Sequence, residues 1–307
     1  MTRRRTSPLV RPLPSINGIN PSYLWLPAGD WPSLFAFLCQ RFPHLAADGI
    51  ARRLTQGDIV DDQGQAFGLD SPYRPHQRIW YHRQVPDEPE LPFAERILFH
   101  NERIVIADKP HFMAATPAGR HLQNTLLTRL RKRLNNPELS PAHRLDRETA
   151  GLMLFTTQPQ WRGPYQQLFQ DRQVDKEYLA VANYQHHDWP LDYACRLEKQ
   201  PNSFCMQVVA GEANSHCQIQ LLERQQDWGL YLLRPSTGKQ HQLRVQMASL
   251  GMGLKNDPWY PILQDERPDD WQRPLQLQAK TLAFTDPIDG QEHRFHSQQL
   301  LQWPPLD

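Results

Sequence analysis

Asp146 is the residue of this chain best placed to do chemistry. It ends the tetrad His143–Asp146, precedes Arg147, and leads through a polar turn into the apolar run Leu152–Phe155. A carboxylate beside cations on a rigid apolar support is the arrangement that a catalytic acid or base requires. An aspartate in such a turn is also a common turn former or helix cap, so these residues alone leave both interpretations open.

Two other segments place polar side chains at spacings that could complete a site. Lys176 and Tyr178 are two residues apart in a strand-like run, so they share one strand face. If residues 239–250 are helical, His241 and Arg244 lie three apart and share a helix face. The ordinary alternatives are a core tyrosine and a surface arginine.

The residues around Asp146 resemble a known motif. The pattern H-R-L-D-x-x-T-x-G-L-x-L at positions 143–154 is similar to the catalytic motif of the RluA-type pseudouridine synthases. Further segments match the same family in the same order, within a region from Ile97 to His296 that is about two-thirds of the chain. These segments are Ile104–Pro110, Val174–Ala180, Thr237–Val245 and Leu277–Pro287.

This resemblance implies an isomerase that acts on RNA. Such an enzyme breaks the N-glycosidic bond of a uridine, turns the base and rejoins it through carbon, and it needs no cofactor or metal. Asp146 would be the essential carboxylate, acting at either the ribose or the base, and Arg244 would be the cation paired with it. Tyr178 would pack on the target base and could take the proton from its carbon five.

The resemblance also implies residues that hold the RNA. A stacked base must be extruded before it can react, and a planar cation can fill the gap that it leaves. Arg144 is the candidate for that role. The other residues expected to bind RNA or assist base flipping are His143, Lys176, Lys239 and His241.

Several positions depart from the family pattern. Ala150 stands where the family usually has serine, Lys239 replaces an arginine, and Gln246 replaces a histidine. Residues 251–260 match the segment G-x-P-I-x-G-D-x-x-Y only loosely. These departures leave the proposed catalytic residues in place and put the contacts to the substrate in doubt.

Composition limits the classes of protein that this chain can be. It has 307 residues, 39% of them hydrophobic, with a formal net charge of +1, and no apolar run is long enough to cross a membrane. The four cysteines show neither metal-ligand spacing nor the density of a disulfide scaffold, which favours a cytoplasmic location. We expect the protein to be a monomer. RNA is its expected partner, because the basic residues are clustered along the sequence.

The chain is predicted to have two domains of the α+β class. Residues 1–28 form a basic, proline-rich lead-in, 29–85 a small α+β module, 86–96 a linker and 97–307 the catalytic domain. The catalytic domain is expected to contain a mixed, mainly antiparallel sheet with flanking helices, because strand-like runs recur with few helices between them.

The small module resembles the S4-type RNA-binding module, in which two helices precede a small sheet. A plain α+β domain fits the same pattern. If the module binds RNA, its candidate phosphate contacts are Arg41, Arg52 and Arg53.

Two alternatives to an isomerase remain open from sequence. A non-catalytic RNA-binding scaffold or folding aid would keep the basic residues while Asp146 became dispensable. A hydrolase using Asp146 with His143 lacks a second carboxylate at matching spacing and a G-x-S-x-G motif. Among RNA substrates, the S4-like module slightly favours ribosomal over transfer RNA.

Overall fold

The computed structural model describes residues 10–83, 88–119, 121–264 and 268–303. The N-terminal arginines Arg3, Arg4 and Arg5, residues 84–85 of the predicted module and residues 86–87 of the predicted linker lie outside these ranges. No helix in the described ranges is long and apolar enough to cross a membrane.

Five helices and fourteen strands are present in the described residues. The helices are α1 (Leu34–Arg41), α2 (Ala47–Thr55), α3 (Leu126–Arg133), α4 (Pro159–Gln170) and α5 (Gln242–Ser249). The first seven strands are β1 (Ser22–Trp25), β2 (Ile59–Val60), β3 (Arg78–Tyr81), β4 (Arg96–His100), β5 (Ile104–Lys109), β6 (Ser140–Pro141) and β7 (Ala150–Thr156). The remaining strands are β8 (Asp175–Asn183), β9 (Leu191–Lys199), β10 (Met206–Val209), β11 (Ser215–Gln225), β12 (Trp228–Pro235), β13 (Leu277–Thr285) and β14 (Glu292–His296).

The N-terminal unit is a small α+β body. Its antiparallel sheet has the order β1-β3-β2, and its apolar core is formed by residues of α1, α2 and the adjoining strands. Helix α1 begins after Ser33, whose hydroxyl accepts a hydrogen bond from the Ala36 amide at 3.1 Å, as an N-cap should. Two helices and a small sheet were predicted here, but this arrangement alone does not identify an S4 module.

The lead-in prediction for residues 1–28 is wrong at β1. Ser22–Trp25 pairs with β3 in register Ser22↔Tyr81 to Trp25↔Arg78 and so completes the small sheet. The run is only four residues long and Pro21 precedes it, so its pattern was too short to be recognised as a strand. The described residues before Pro89 group with Thr128–Pro137 into one compact unit, whereas the prediction placed 128–137 in the catalytic domain.

The second unit is built on a large mixed sheet, as the sequence predicted. Its strand order is β10-β9-β11-β12-β8-β13-β7-β5-β4, with β14 beside β13 and β6 beside β7. Neighbouring strands pair antiparallel, except that β13 and β7 run parallel. Strands β5 and β7 are buried along their whole length, which is why most of their residues, Ile104–Ala107 and Leu152–Phe155, form continuous apolar runs.

Two apolar clusters hold this sheet. One lies against α5 and includes Leu243 and Met247 of that helix with side chains of β8, β11 and β12. The other lies against α4 and includes Tyr165 and Leu168 with residues of β5, β7 and β13. The turn that leads to β7 and the start of α5 are therefore both anchored on rigid elements.

Candidate active site

A cleft of about 100 Å³ gathers most of the side chains that the sequence singled out. Its walls come from the turn before β7, from β8, from the segment that leads into α5 and from the start of β13. The lining residues are Arg144, Leu145, Asp146, Thr149, Lys176, Tyr178, Pro235, Thr237, Gly238, Lys239, His241, Gln242, Leu243, Arg244 and Leu277.

Asp146 lies at a tight turn whose surroundings are buried. The Thr149 amide donates to the Asp146 carbonyl at 3.2 Å, and Leu145, Glu148 and Thr149 are buried. The Asp146 side chain is 25% exposed, so its carboxylate can be reached from the cleft while its backbone is held.

Lys109 binds the backbone of this turn through its buried ammonium group. Its ammonium group donates to the backbone carbonyls of Pro110 at 3.1 Å, Met113 at 2.8 Å and Arg147 at 3.0 Å. Burial lowers the pKa of Lys109 to about 7, although the charges of Glu148 and Asp146 oppose that shift. The last residue of β5 thus ties the turn that carries Asp146 to the sheet.

Gly151 fixes the turn on its other side. Its φ angle is +112°, and a Cβ atom at this position would lie 2.2 Å from the carbonyl oxygen of Ala279. This close approach occurs where β7 and β13 pair, with Ala279 opposite Gly151. Only glycine allows both the backbone angle and the contact, which explains why the motif needs glycine after Thr149 and Ala150.

Arg244 is buried and shared among three carboxylates. Its Nη1 lies 3.4 Å from Asp146 Oδ2 and 3.5 Å from Glu148 Oε2. Its Nε and Nη2 donate to the two oxygens of Asp257 at 2.8 and 2.6 Å. Burial alone would lower the pKa of Arg244, but the hydrogen bond and charge of Asp257 and the charge of Asp146 raise it above its ordinary value.

An aromatic ring completes the setting of Arg244. The guanidinium carbon lies 4.2 Å from the centre of the Trp259 ring, a cation–π contact. The bidentate pair and the ring together leave one nitrogen, Nη1, directed toward Asp146.

His241 approaches Asp146 from a different direction than the sequence predicted. Helix α5 begins at Gln242, and His241 precedes it in the left-handed conformation with φ of 53°, so the predicted helix over 239–250 starts too early. Its Nε2 still lies 4.0 Å from Asp146 Oδ1. His241 and Arg244 therefore both face the carboxylate, although they do not share a helix face.

The tautomer of His241 follows from its other partner. Its Nδ1 lies 2.8 Å from the Tyr260 hydroxyl, which accepts a hydrogen bond from the Met206 amide at 2.7 Å. The hydroxyl proton of Tyr260 is then available to Nδ1, which favours the ring proton on Nε2, facing Asp146. Burial lowers the pKa of His241, although the Asp146 charge opposes this, so the ring is neutral at pH 7.

Lys176 and Tyr178 form the wall supplied by β8, as predicted from their spacing. Both side chains line the cleft, and the Lys176 ammonium donates to the Thr237 carbonyl at 3.3 Å. Burial and the nearby Asp146 charge raise the pKa of Tyr178 above its ordinary value. Tyr178 therefore presents a neutral phenol to a ligand in the cleft.

Of the remaining candidates, Arg144 and Lys239 lie in the cleft and His143 lies outside it. Arg144 and Lys239 are exposed and line the cleft. His143 does not line it: its ring stacks on Phe169 with centroids 4.4 Å apart, and its Nε2 accepts from the Leu154 amide at 3.1 Å. Burial, with a smaller effect of Lys176, lowers the pKa of His143 to about 3, so the ring is neutral and holds β7.

Sequence reasoning missed Asp257, Tyr260, Trp259 and Glu148 as parts of this site. The signal was present in Asp257-x-x-Tyr260, which has the D-x-x-Y spacing of the family segment. The loose match of the flanking residues hid it. Glu148 followed Asp146 as one more polar residue in a turn, and no pattern showed that it would be buried beside Arg244.

The arginines of the N-terminal unit have different surroundings from one another. Arg41 and Arg52 are exposed, and Arg41 lies over the Phe42 ring at 5.5 Å. Arg53 donates to the His82 carbonyl at 2.5 Å and lies 3.9 Å from Asp58. Arg53 is therefore occupied within its own unit.

The sequence and the fold of this chain are both similar to those of RNA pseudouridylate synthases. The sequence profile of the family described as RNA pseudouridylate synthase matches residues 103–249. Human pseudouridylate synthase RPUSD2 is 31% identical over 183 residues, which cover 58% of this chain and 33% of that protein. The dual-specificity RNA pseudouridine synthase RluA of Haemophilus ducreyi is 27% identical over 222 residues, covering 68% of this chain and 95% of that one.

The solved structures agree on the fold. Human RNA pseudouridylate synthase domain containing 1 superimposes with a TM-score of 0.56 at 21% identity, covering 69% of this chain and 86% of that chain. Residues 103–249 of the chain belong to the RNA pseudouridylate synthase family, the RluA family of the sequence motif. It spans only a third of the length of some curated relatives, such as human RPUSD2.

Proposed function

We propose that this chain is an RNA pseudouridine synthase, an isomerase that converts a specific uridine of a structured RNA to pseudouridine. The observation that carries the proposal is the cleft in which Asp146, Tyr178 and Arg244 meet. In the reaction the bond from C1′ to N1 breaks, a bond from C1′ to C5 forms, and the proton on C5 is lost while N1 gains one. Nothing is oxidised and no group is transferred.

The surroundings of Asp146 suit a carboxylate that acts directly on the nucleoside. Arg244 Nη1 lies 3.4 Å from one carboxylate oxygen and His241 Nε2 lies 4.0 Å from the other, so each directs an N–H group toward the carboxylate. Because Asp257 fixes Arg244, the positive charge is already oriented before the substrate arrives. This arrangement supports attack at either the ribose or the base.

Tyr178 forms the wall against which the uracil would stack. A neutral phenol offers an aromatic face and a hydroxyl, whereas an anionic phenolate would repel the adjacent Asp146. The hydroxyl is within the same cleft as Asp146 and is the candidate to relay the C5 proton in the last step.

The exposed cations of the cleft would hold the extruded nucleotide. We assign Arg144 to the gap left in the RNA, since it is exposed at the cleft and extrusion costs a few kcal/mol. Lys239 and Lys176 would contact the flanking phosphates. His143 supports this group by holding β7.

Ribosomal and transfer RNA are both candidate substrates. We favour ribosomal RNA slightly, because we interpret the two helices and small sheet of the N-terminal unit as an S4-type module, and its Arg41 and Arg52 are exposed. The four cysteines are free thiols, which supports a reducing compartment such as the cytoplasm.

Mapping of pseudouridines in total RNA tests the proposal. Cells that lack the protein should lose one or a few pseudouridines, and wild-type protein should restore them while Asp146→Asn does not. Asp175→Asn is the matched control, because Asp175 is exposed on β8 outside the cleft lining. A map that does not change, with the same result for purified protein on the extracted RNA, would replace the proposal with an RNA-binding scaffold.

A further inference from the structure

A second and larger cavity, of about 850 Å³, adjoins the cleft within the same unit. Its volume falls in the range of about 300–1,000 Å³ that is usual for ligand sites. The roles proposed above for the catalytic residues do not use it. Its walls combine three aromatic rings (Phe112, Phe204 and Trp259) with charged side chains.

Two of the rings form a corner suited to a planar ligand. The Phe204 and Trp259 rings have centroids 4.8 Å apart and planes inclined at 72°. A flat molecule stacked on one ring would present its edge to the other. Phe204, in the connection between β9 and β10, is 46% exposed. Exposing an apolar ring to water is less favourable than exposing a polar side chain at the same position. An exposed aromatic wall in an RNA-binding protein is typical of a platform for an unstacked base.

The carboxylates among the described residues of the cavity lining differ in how they are paired. Glu148 lies 3.5 Å from Arg244, and Asp269 pairs with Arg147, which lies over the Phe112 ring at 5.8 Å. Asp270 Oδ1 accepts a hydrogen bond from the Gln272 amide at 3.1 Å. The exposed Asp270 carboxylate retains lone pairs that can accept from a base edge that carries N–H donors. Guanine presents two adjacent donors, N1–H and the 2-amino group, which match one carboxylate.

Two residues that line the cavity contact residues that line the cleft. Trp259, which lines the cavity, packs against Arg244 at 4.2 Å and against the His241 ring at 5.0 Å between centroids. Glu148, on the same wall, lies 3.5 Å from Arg244 Nη1. A nucleotide in the cavity would therefore neighbour the target uridine on the same strand.

We propose that this cavity holds an unstacked guanine that flanks the target uridine, and that it contributes to the choice of RNA. The proposal rests on the function proposed above. Phe204 and Trp259 would stack the base, and Asp270, which is exposed at the cavity, would accept its N–H donors.

The test uses the dinucleotides UpG, GpU, UpU and UpI, the last with inosine in place of guanosine. Binding is followed by NMR at the Trp259 indole N–H, whose signal is identified with Trp259→Phe. We expect UpG or GpU to shift that signal at lower concentration than UpU. Phe204→Ala should weaken this binding by between about 5-fold and about 150-fold, the effect of removing one base-stacking contact.

Two further variants separate the contributions. Asp270→Asn should abolish the preference for guanosine over inosine, because inosine lacks the 2-amino group. Leu222→Ala, an exposed apolar residue outside the cavity, should bind the dinucleotides as wild type does. An equal response to UpU and UpG, or no change at Trp259 with any dinucleotide, would overturn the proposal.

The isomerase assay on extracted RNA tells the two proposals apart. Isomerisation without any response at Trp259 would overturn the guanine site and leave the proposed function. A guanosine-specific response at Trp259 in a protein that isomerises no RNA would support the site while overturning the proposed function.

Discussion

The charged residues of the cleft around Asp146 and those of the N-terminal unit differ in how they are held. Arg244 is 1% exposed and is fixed by Asp257, Trp259 and its two other carboxylate neighbours. Arg41 and Arg52 are exposed on their helices. The guanidinium of Arg244 is therefore held in one position, whereas the exposed side chains of Arg41 and Arg52 can adopt many conformations.

This difference separates residues that can do chemistry from residues that can attract RNA. A buried, oriented charge acts at full strength at a fixed distance, whereas an exposed charge is screened by salt over about 10 Å. The same distinction predicts which substitutions should affect stability and which should affect only binding. Removing the partner of a buried charge leaves that charge uncompensated inside the protein, whereas the partner of an exposed charge is replaced by water.

The largest effect on stability is expected for Asp257→Ala. The substitution leaves the buried Arg244 without its bidentate partner, so the free energy of unfolding should fall by about 3–5 kcal/mol, and activity should fall with it. Chemical denaturation monitored by circular dichroism measures the change. A loss below about 1 kcal/mol would mean that Glu148 and Asp146 suffice to compensate Arg244.

A smaller loss is expected for Gly151→Ala. The added Cβ would meet the Ala279 carbonyl at 2.2 Å and the backbone angle of +112° would be strained, which together should cost at least about 2 kcal/mol. Gly163→Ala is the matched control, since a Cβ there meets nothing within 4 Å. Equal melting temperatures for the two variants would contradict this account of the turn.

The half-buried His143 should make stability depend on pH. The pKa of His143 is lowered to about 3 by burial, so between about pH 6.5 and 3 the unfolded chain binds a proton that the folded one does not. Stability is therefore fully present above pH 6.5 and falls as the pH drops through this window.

Melting temperatures of wild type and His143→Phe between pH 7 and pH 4.5 test this dependence. The phenyl ring can keep the stack on Phe169 but cannot titrate, so the variant should show the shallower decrease. His111, whose pKa burial lowers to about 4, should leave a residual slope in both proteins. Parallel curves would show that His143 does not contribute.

The smallest effect is expected for the exposed arginines. Arg41→Ala and Arg52→Ala should each leave the free energy of unfolding within about 0.5 kcal/mol of wild type. If each contacts a phosphate, each should reduce the slope of log affinity against log salt by about 1. Arg53→Ala should differ by losing some stability, because Arg53 donates to the His82 carbonyl. Salt slopes that match wild type for both variants would exclude RNA contacts at these positions.

The sequence was a good guide where one pattern dominated locally. The apolar runs Ile104–Ala107, Gly151–Thr156 and Gly229–Arg234 predict strands, and the bounds of β5, β7 and β12 lie within two residues of them. Strands β9 and β10 were missed because Arg196, Glu198 and Gln207 give them a polar character, and their partners lie on neighbouring strands that no local pattern reveals.

The site was predictable only in part for a related reason. Motif spacing identified Asp146, Tyr178 and Arg244 and indicated that they would meet. The groups that orient them depend on contacts distant in sequence, such as the Tyr260 hydroxyl at His241. The left-handed His241 could not be foreseen, because a non-glycine residue with this backbone angle carries no sequence signal.

The place of β13 in the sheet has a consequence for how the protein is made. This late strand, Leu277–Thr285, lies between β8 and β7, and its Ala279 packs against Gly151 beside the catalytic turn. A ribosome must therefore synthesise the chain through this strand before the two halves of the sheet can join. Until then both halves expose an unpaired edge. The two halves of the sheet can join only after β13 has left the ribosome.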